Sequence, residues 1–136
     1  KIDNLEYALS ETSQQFVGEI MNILPESLHA ALVNRFGRIT LANIETKERI
    51  TIDINLRYLK DTLTYELPFL AIAEIKQEGF SNSSAFLKIL KTHKIYPSGM
   101  SKYCVGIISF DKDIKQNNFK TRLLKINKVR EELHAV

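Results

Sequence analysis

Apolar positions recur at helical spacing between residues 4 and 24: Leu5, Ala8, Leu9, Phe16, Val17, Ile20, Met21 and Leu24. Pro25 ends that segment because it brings no N–H to a helix interior. Residues 27–31 allow one short turn. The period then drops to two. Val33 to Asn43 alternates, with Ile39 and Leu41 on one face and Arg38 and Thr40 on the other. Glu48 to Leu56 alternates more cleanly, with Ile50, Ile52 and Ile54 set against Arg49, Thr51, Asp53 and Asn55. Residues 44–47 between the two runs predict a hairpin turn. Thr62 to Leu67 is a third extended run, and Pro68 separates it from a fourth, Phe69 to Gln77. Four strands at this spacing predict an antiparallel meander.

Helix signals return after Gly79. Ser81 or Asn82 is placed to cap a helix whose stripe is Ala85, Phe86, Ile89 and Leu90. Pro97-Ser98-Gly99 is a loop. Ser101 to Phe110 is short and apolar, and periodicity does not separate helix from strand there. Gln116-Asn117-Asn118 is a break. Phe119 to Leu133 predicts a basic amphipathic helix with Leu123, Ile126 and Leu133 inward. The pattern is α+β: an N-terminal helix, a four-stranded antiparallel sheet, then helices.

The 136 residues make a single domain, 1–136, or part of one. With 44% hydrophobic and 26% charged residues the chain is neither disordered nor collagen-like. No apolar run approaches the roughly 20 residues of a membrane span. The chain opens Lys-Ile-Asp-Asn, with no initiator Met and no secretory leader, so the natural protein is expected to extend upstream. A lone cysteine, Cys104, forms no internal disulfide and is expected to be a buried thiol; it fits a cytoplasmic location.

The net charge of +3 is unevenly spread. Residues 88–136 hold eleven basic and four acidic side chains, whereas residues 1–87 hold eight and twelve. This points to an anionic partner for the C-terminal part, or to solvated faces of basic helices. The terminal helix lacks the interleaved aromatics of a nucleic-acid binder, and none is expected as a partner.

The polar face of the strands carries the most informative chemistry. It includes Arg38, Arg49, Glu74 and Lys76, the last two on one face of the same strand. The apolar surroundings place at least one of these charges near a covered surface. Arginine forks and lysine point charges suit phosphate oxygens. A glutamate among them opposes an anion unless it holds a cation, and a divalent metal bridging carboxylate and phosphate removes the conflict. The other reading is a set of cross-strand salt bridges on an exposed sheet. No P-loop or glycine-rich dinucleotide signature occurs, and His29, His93 and His134 have no metal-ligand spacing.

These fragments together resemble the VTC domain, the polyphosphate polymerase domain of the triphosphate tunnel (CYTH-like) superfamily, in its C-terminal half. Phe36-Gly37-Arg38 is similar to its aromatic-x-Arg strand. Residues 48–53, Glu-Arg-Ile-Thr-Ile-Asp, are similar to its Arg-x-Thr-x-Asp strand. Ala73-Glu74-Ile75-Lys76 is similar to its Glu-x-Lys strand. Ser101-Lys102-Tyr103 is similar to its Ser-Lys-Tyr/Phe box, and Asn118-Phe119-Lys120 to a closing segment. Two departures are Phe36 in place of a tyrosine and Ser98-Gly99-Met100 where a basic residue is common.

The resemblance implies half of a tunnel barrel of antiparallel strands, with Ile39, Leu41, Ile50, Ile52 and Ile54 packed outward against helices. It implies phosphate contacts at Arg38, Arg49, Lys76, Ser101 and Lys102, and a metal ligand at Glu74. The implied cofactor is a divalent metal, Mn or Mg. The implied ligand is polyphosphate or a nucleoside triphosphate, and the implied reaction is phosphoryl transfer. The N-terminal half of the tunnel is absent from the chain, so the piece alone is expected to be inactive. Its open edge is expected to drive homo-oligomerisation or strand exchange. The alternative function is a non-catalytic polyphosphate-binding or interaction module.

Overall fold

The structure is a computed structural model that describes residues 8–21, 23–78 and 84–134. Helix α1 spans Glu11–Met21, strands β1 to β4 span Val33–Asn43, Glu48–Lys60, Leu63–Leu67 and Ile72–Lys76, and helices α2 to α4 span Ala85–Thr92, Lys102–Phe110 and Lys120–His134. The α+β architecture is an open antiparallel sheet of four strands flanked by helices.

Strands β1 and β2 pair over nearly their full length, from Val33↔Leu59 to Asn43↔Glu48. Their hairpin forms where expected. The Asn43 side chain accepts from the Glu45 and Thr46 amides at 3.0 and 3.1 Å, and Lys47 takes a positive φ. A two-residue turn with Asp61 at φ 53° joins β2 to β3.

The sheet departs from a plain meander at β4. β3 pairs with β2 over residues 56–60, and β4 pairs with the same strand over residues 49–53. Both run antiparallel to β2, so the chain does not reverse at Pro68. β3 and β4 are two pieces of one lane, and residues 68–71 are the insertion between them. That insertion sends Leu70 into the core and leaves Phe69 half-buried under the Arg130 guanidinium, 5.0 Å from its ring centre.

Opposite the insertion, β2 carries a bulge. Arg35 pairs with Arg57 but Gly37 pairs with Ile54, so β2 spends one extra residue there. Asn55 absorbs it at φ 55°, a conformation that asparagine tolerates. The bulge changes the parity of β2. Leu56 and Tyr58 come onto the same face as Arg49, Thr51 and Asp53, although plain alternation assigns Leu56 to the isoleucine face.

The core lies on that face beyond the bulge. Leu56, Tyr58, Leu67, Leu70, Val105 and Ile126 form it, with Leu32, Phe36, Tyr65 and Met100 packed around them. The segment left open by periodicity, Ser101 to Phe110, is helical in α3. It buries Val105, Gly106 and Ile108. In α4, Ile126 is buried and Leu123 half-buried as expected, but Leu133 is 56% exposed. Cys104 is half-buried, not the buried thiol expected. Leu5 and the expected caps Ser81 and Asn82 lie outside the described residues; Ser84 caps α2 by accepting from the Leu87 amide at 3.1 Å.

The isoleucine face is only partly covered. Ile50 is buried and Ile52 and Ile54 are half-buried, whereas Ile39 and Leu41 are 47% and 49% exposed. The expectation that all five pack beneath helices fails on β1, the edge strand.

Tyr58 is fully buried and its hydroxyl has no hydrogen-bond partner among the described residues. Burial pushes its pKa up to about 12, with a smaller effect from Tyr65. Tyr58→Phe removes a desolvated, unpaired hydroxyl and is expected to raise stability by about 1 kcal/mol in urea unfolding. An unchanged or lower midpoint would place a partner on that oxygen.

Candidate functional site

The pairing register places the predicted cations together. Arg38 opposes Asp53, which opposes Ile72 on β4. Thr40, Thr51 and Glu74 form the next row, and Ala42, Arg49 and Lys76 the third. Directly paired residues project to the same side of a sheet. Arg38, Arg49, Glu74 and Lys76 therefore share one face across three lanes.

Helix α3 adds Lys102 to that face. Ser101 is its N-cap, with the hydroxyl accepting from the Cys104 amide at 3.3 Å. The cap starts the helix so that Lys102, in the first turn, reaches back to the sheet. A cation near a helix N-terminus faces the positive end of the dipole. The Asp53 carboxylate offsets this: its Oδ2 lies 2.6 Å from Lys102 Nζ.

Asp53 is the hub of the site, and the sequence reading did not single it out as a site residue. It is 2% exposed. Arg38 donates to it in a two-pronged bond, Nε to Oδ1 at 2.6 Å and Nη2 to Oδ2 at 2.8 Å. Those bonds hold the Asp53 carboxyl at a pKa of about 2, against the effect of burial and with help from Lys102. The same pairing raises the Arg38 pKa. Both cations also lie over the Phe36 ring, each 5.0 Å from its centre. An acid flanked by isoleucines in mid-strand, as in Ile52-Asp53-Ile54, was the available signal, since a buried carboxylate requires partners.

The remaining residues are more open. Lys76 Nζ lies 3.2 Å from Glu74 Oε1, and both side chains are more than half exposed. Neither is the charge near a covered surface that the sequence implied; Asp53 is. Arg49 is exposed, and its side chain has no ion-pair or hydrogen-bond partner among the described residues. Arg38 is 45% exposed despite its bond to Asp53. The face thus carries four cations and two carboxylates, with its free positive charge toward Arg49.

The described residues contain no group of three His, Cys, Asp or Glu side chains that could hold a metal. Asp53 is engaged by two cations. A divalent ion on this face would find one protein carboxylate, Glu74, and would need phosphate oxygens and water to complete its shell. An open cleft of about 660 Å³ lies elsewhere, between α3 and α4, and none of the predicted site residues lines it. No helix among the described residues is long and apolar enough to cross a membrane.

No curated protein and no solved structure matches the chain. A comparison with protein families aligns residues 1–111 with the VTC domain. That span includes β1, β2, β4 and the Ser101–Tyr103 segment that build the cationic face, and by this match the chain belongs to the VTC domain family.

Proposed function

We propose that the cationic sheet face binds the phosphates of polyphosphate or of a nucleoside triphosphate, as part of a polyphosphate polymerase domain. The observation that carries this reading is the register, which lines up Arg38, Arg49 and Lys76 on one face, with Lys102 added from α3. Arg49 and Lys76 are the accessible contacts. Arg38 and Lys102 are oriented by Asp53, and Ser101 fixes the start of the helix that carries Lys102. Glu74 is the proposed ligand of a divalent cation, Mn or Mg, which would neutralise charge between its carboxylate and the phosphate oxygens. Such a site acts by positioning phosphates and stabilising charge. The tunnel that would enclose it is part of the same proposal.

Titrating the chain with tripolyphosphate in a calorimeter tests this. Binding is expected at low salt and is expected to weaken as salt rises. Arg49→Ala should lower affinity by roughly fivefold or more, the loss of one charge-assisted contact, without moving the melting temperature. Glu74→Gln should abolish the gain in affinity that magnesium brings. An absence of binding at low salt, or unchanged affinity in Arg49→Ala, would reject the site.

One observation favours a non-catalytic module. Arg38, Lys102 and Lys76 are each paired with a carboxylate, as on a salt-bridged surface. Polyphosphate growth from a nucleoside triphosphate by the full-length protein separates the two readings. Binding without chain growth would select the module.

A further inference from the structure

A second group of cations lies where α4 meets the loop before α3. Arg122 and Lys125 are three residues apart on α4, which makes them neighbours on its surface. Both reach that loop. Lys125 Nζ donates to Ser98 Oγ at 3.4 Å, and the Arg122 guanidinium lies against Gly99. Residues 93–101 and 114–130 hold no acidic side chain. Neither cation has an ion-pair partner among the described residues, whereas Arg38, Lys76 and Lys102 each have a carboxylate. Two like charges at this spacing repel each other, and an anion between them relieves the repulsion.

The donors are arranged for a phosphate. Arg122 Nη1 donates to the Asn118 carbonyl at 3.0 Å, and its guanidinium carbon lies 5.4 Å from the centre of the Phe119 ring. These contacts orient the guanidinium and leave its Nε–Nη2 edge without a partner among the described residues. Arg38 holds Asp53 by the same edge, which also matches two oxygens of a phosphate. In Arg122 the edge faces Gly99. Nη2 and Nε lie 3.3 and 3.9 Å from the point where a Cβ would stand. Gly99 does not take a positive φ, so its backbone admits other residues, and what glycine provides is open space beside the guanidinium. The Ser98 hydroxyl accepts from Lys125 and keeps its own proton to donate.

This group adjoins the cationic face at its Lys102 end. Gly99 and Lys102 are three residues apart, so their Cα atoms are at most about 11 Å apart. Arg49 marks the other end, about 13 Å from Asp53 along β2. We infer that Arg122, Lys125 and Ser98 form a second phosphate subsite, which takes a later phosphate of a polyphosphate chain whose first phosphates lie on the sheet face. The inference rests on the phosphate binding proposed above for that face.

Calorimetry with inorganic phosphate, tripolyphosphate and a long polyphosphate tests it. Arg122→Ala and Lys125→Ala should each lower long-chain affinity by roughly fivefold and leave tripolyphosphate affinity unchanged. Gly99→Asp sets a carboxylate beside the guanidinium and should have the same effect, while keeping the contacts that Arg122 makes within α4. Arg49→Ala should weaken both ligands. Long-chain affinity indifferent to Arg122→Ala and Gly99→Asp overturns the inference, and the sheet face still stands if Arg49→Ala weakens binding. Inorganic phosphate that depends on Arg122 as strongly as the long chain does also overturns it, because the group is then a separate site for free phosphate. Long-chain binding that needs Arg122 but not Arg49 keeps the subsite and rejects the sheet face.

Discussion

Gly106→Ala is expected to destabilise the fold by about 1–2 kcal/mol, even though alanine is the better helix former. Gly106 sits in the middle of α3, where glycine alone costs about 1 kcal/mol relative to alanine. A methyl there would lie 2.6 and 2.9 Å from Tyr58 ring carbons and 3.0 Å from Leu32 Cδ2. The ring has no room to retreat. Tyr58 is fully buried and stacked on Tyr65 at 6.4 Å between centres. Overpacking of that kind costs about 1–3 kcal/mol and outweighs the propensity gain. Urea unfolding of the variant measures it. Tyr58→Phe keeps both contacting carbons and should not rescue Gly106→Ala, whereas Tyr58→Leu should. A Gly106→Ala protein as stable as the parent would mean that α3 stands further from the sheet.

The same contact shows which parts of the fold can be read from residue order. The hairpin is legible because alternation in β1 and β2 is local, and Asn43 and Lys47 supply turn chemistry within a few residues. The bulge is not. It depends on the insertion at residues 68–71, far along the chain, and its only local mark is Asn55, a residue equally at home on a polar strand face. Missing it misplaces Leu56 and Tyr58 and hides the fact that core and charges occupy one side of β2. Periodicity leaves helix α3 open for a related reason. Its stripe is apolar nearly all round, and what identifies it is Ser101 at the cap and Gly106 against Tyr58. The meander failed at Pro68 because a proline marks a break without saying whether the chain reverses. On the cationic face, strand parity brought Arg38, Arg49, Glu74 and Lys76 together correctly. Parity does not rank their burial, and the covered charge expected among them is Asp53 instead.

Asp53→Asn carries the largest expected effect on the site. Asparagine keeps the shape and removes the charge, leaving Arg38 and Lys102 facing each other with no carboxylate between them. Removing one member of a buried ion pair costs about 3–5 kcal/mol. Arg38 is 45% exposed and Lys102 21%, so water relieves part of that cost and about 2–3 kcal/mol is expected. The acid side of the stability profile gives an independent measure. The folded carboxyl titrates near 2 against an ordinary value of 3.8, so the folded state binds its proton less readily than the unfolded chain. The contribution of Asp53 is therefore complete above about pH 4 and is lost as pH falls toward 2, amounting to about 2 kcal/mol. The parent should lose stability over that window more steeply than Asp53→Asn. If the two profiles run parallel, Asp53 is not held by the cations. Under the proposed function, phosphate affinity is expected to change with stability, because the carboxylate aims both cations. Tripolyphosphate affinity in Asp53→Asn measures which of two opposing effects dominates. Freed charge alone would tighten binding, whereas lost orientation of Arg38 and Lys102 would weaken it. The two-pronged bond and the short contact to Lys102 favour weakening, and tighter binding would mean that Asp53 restrains the site without arranging it.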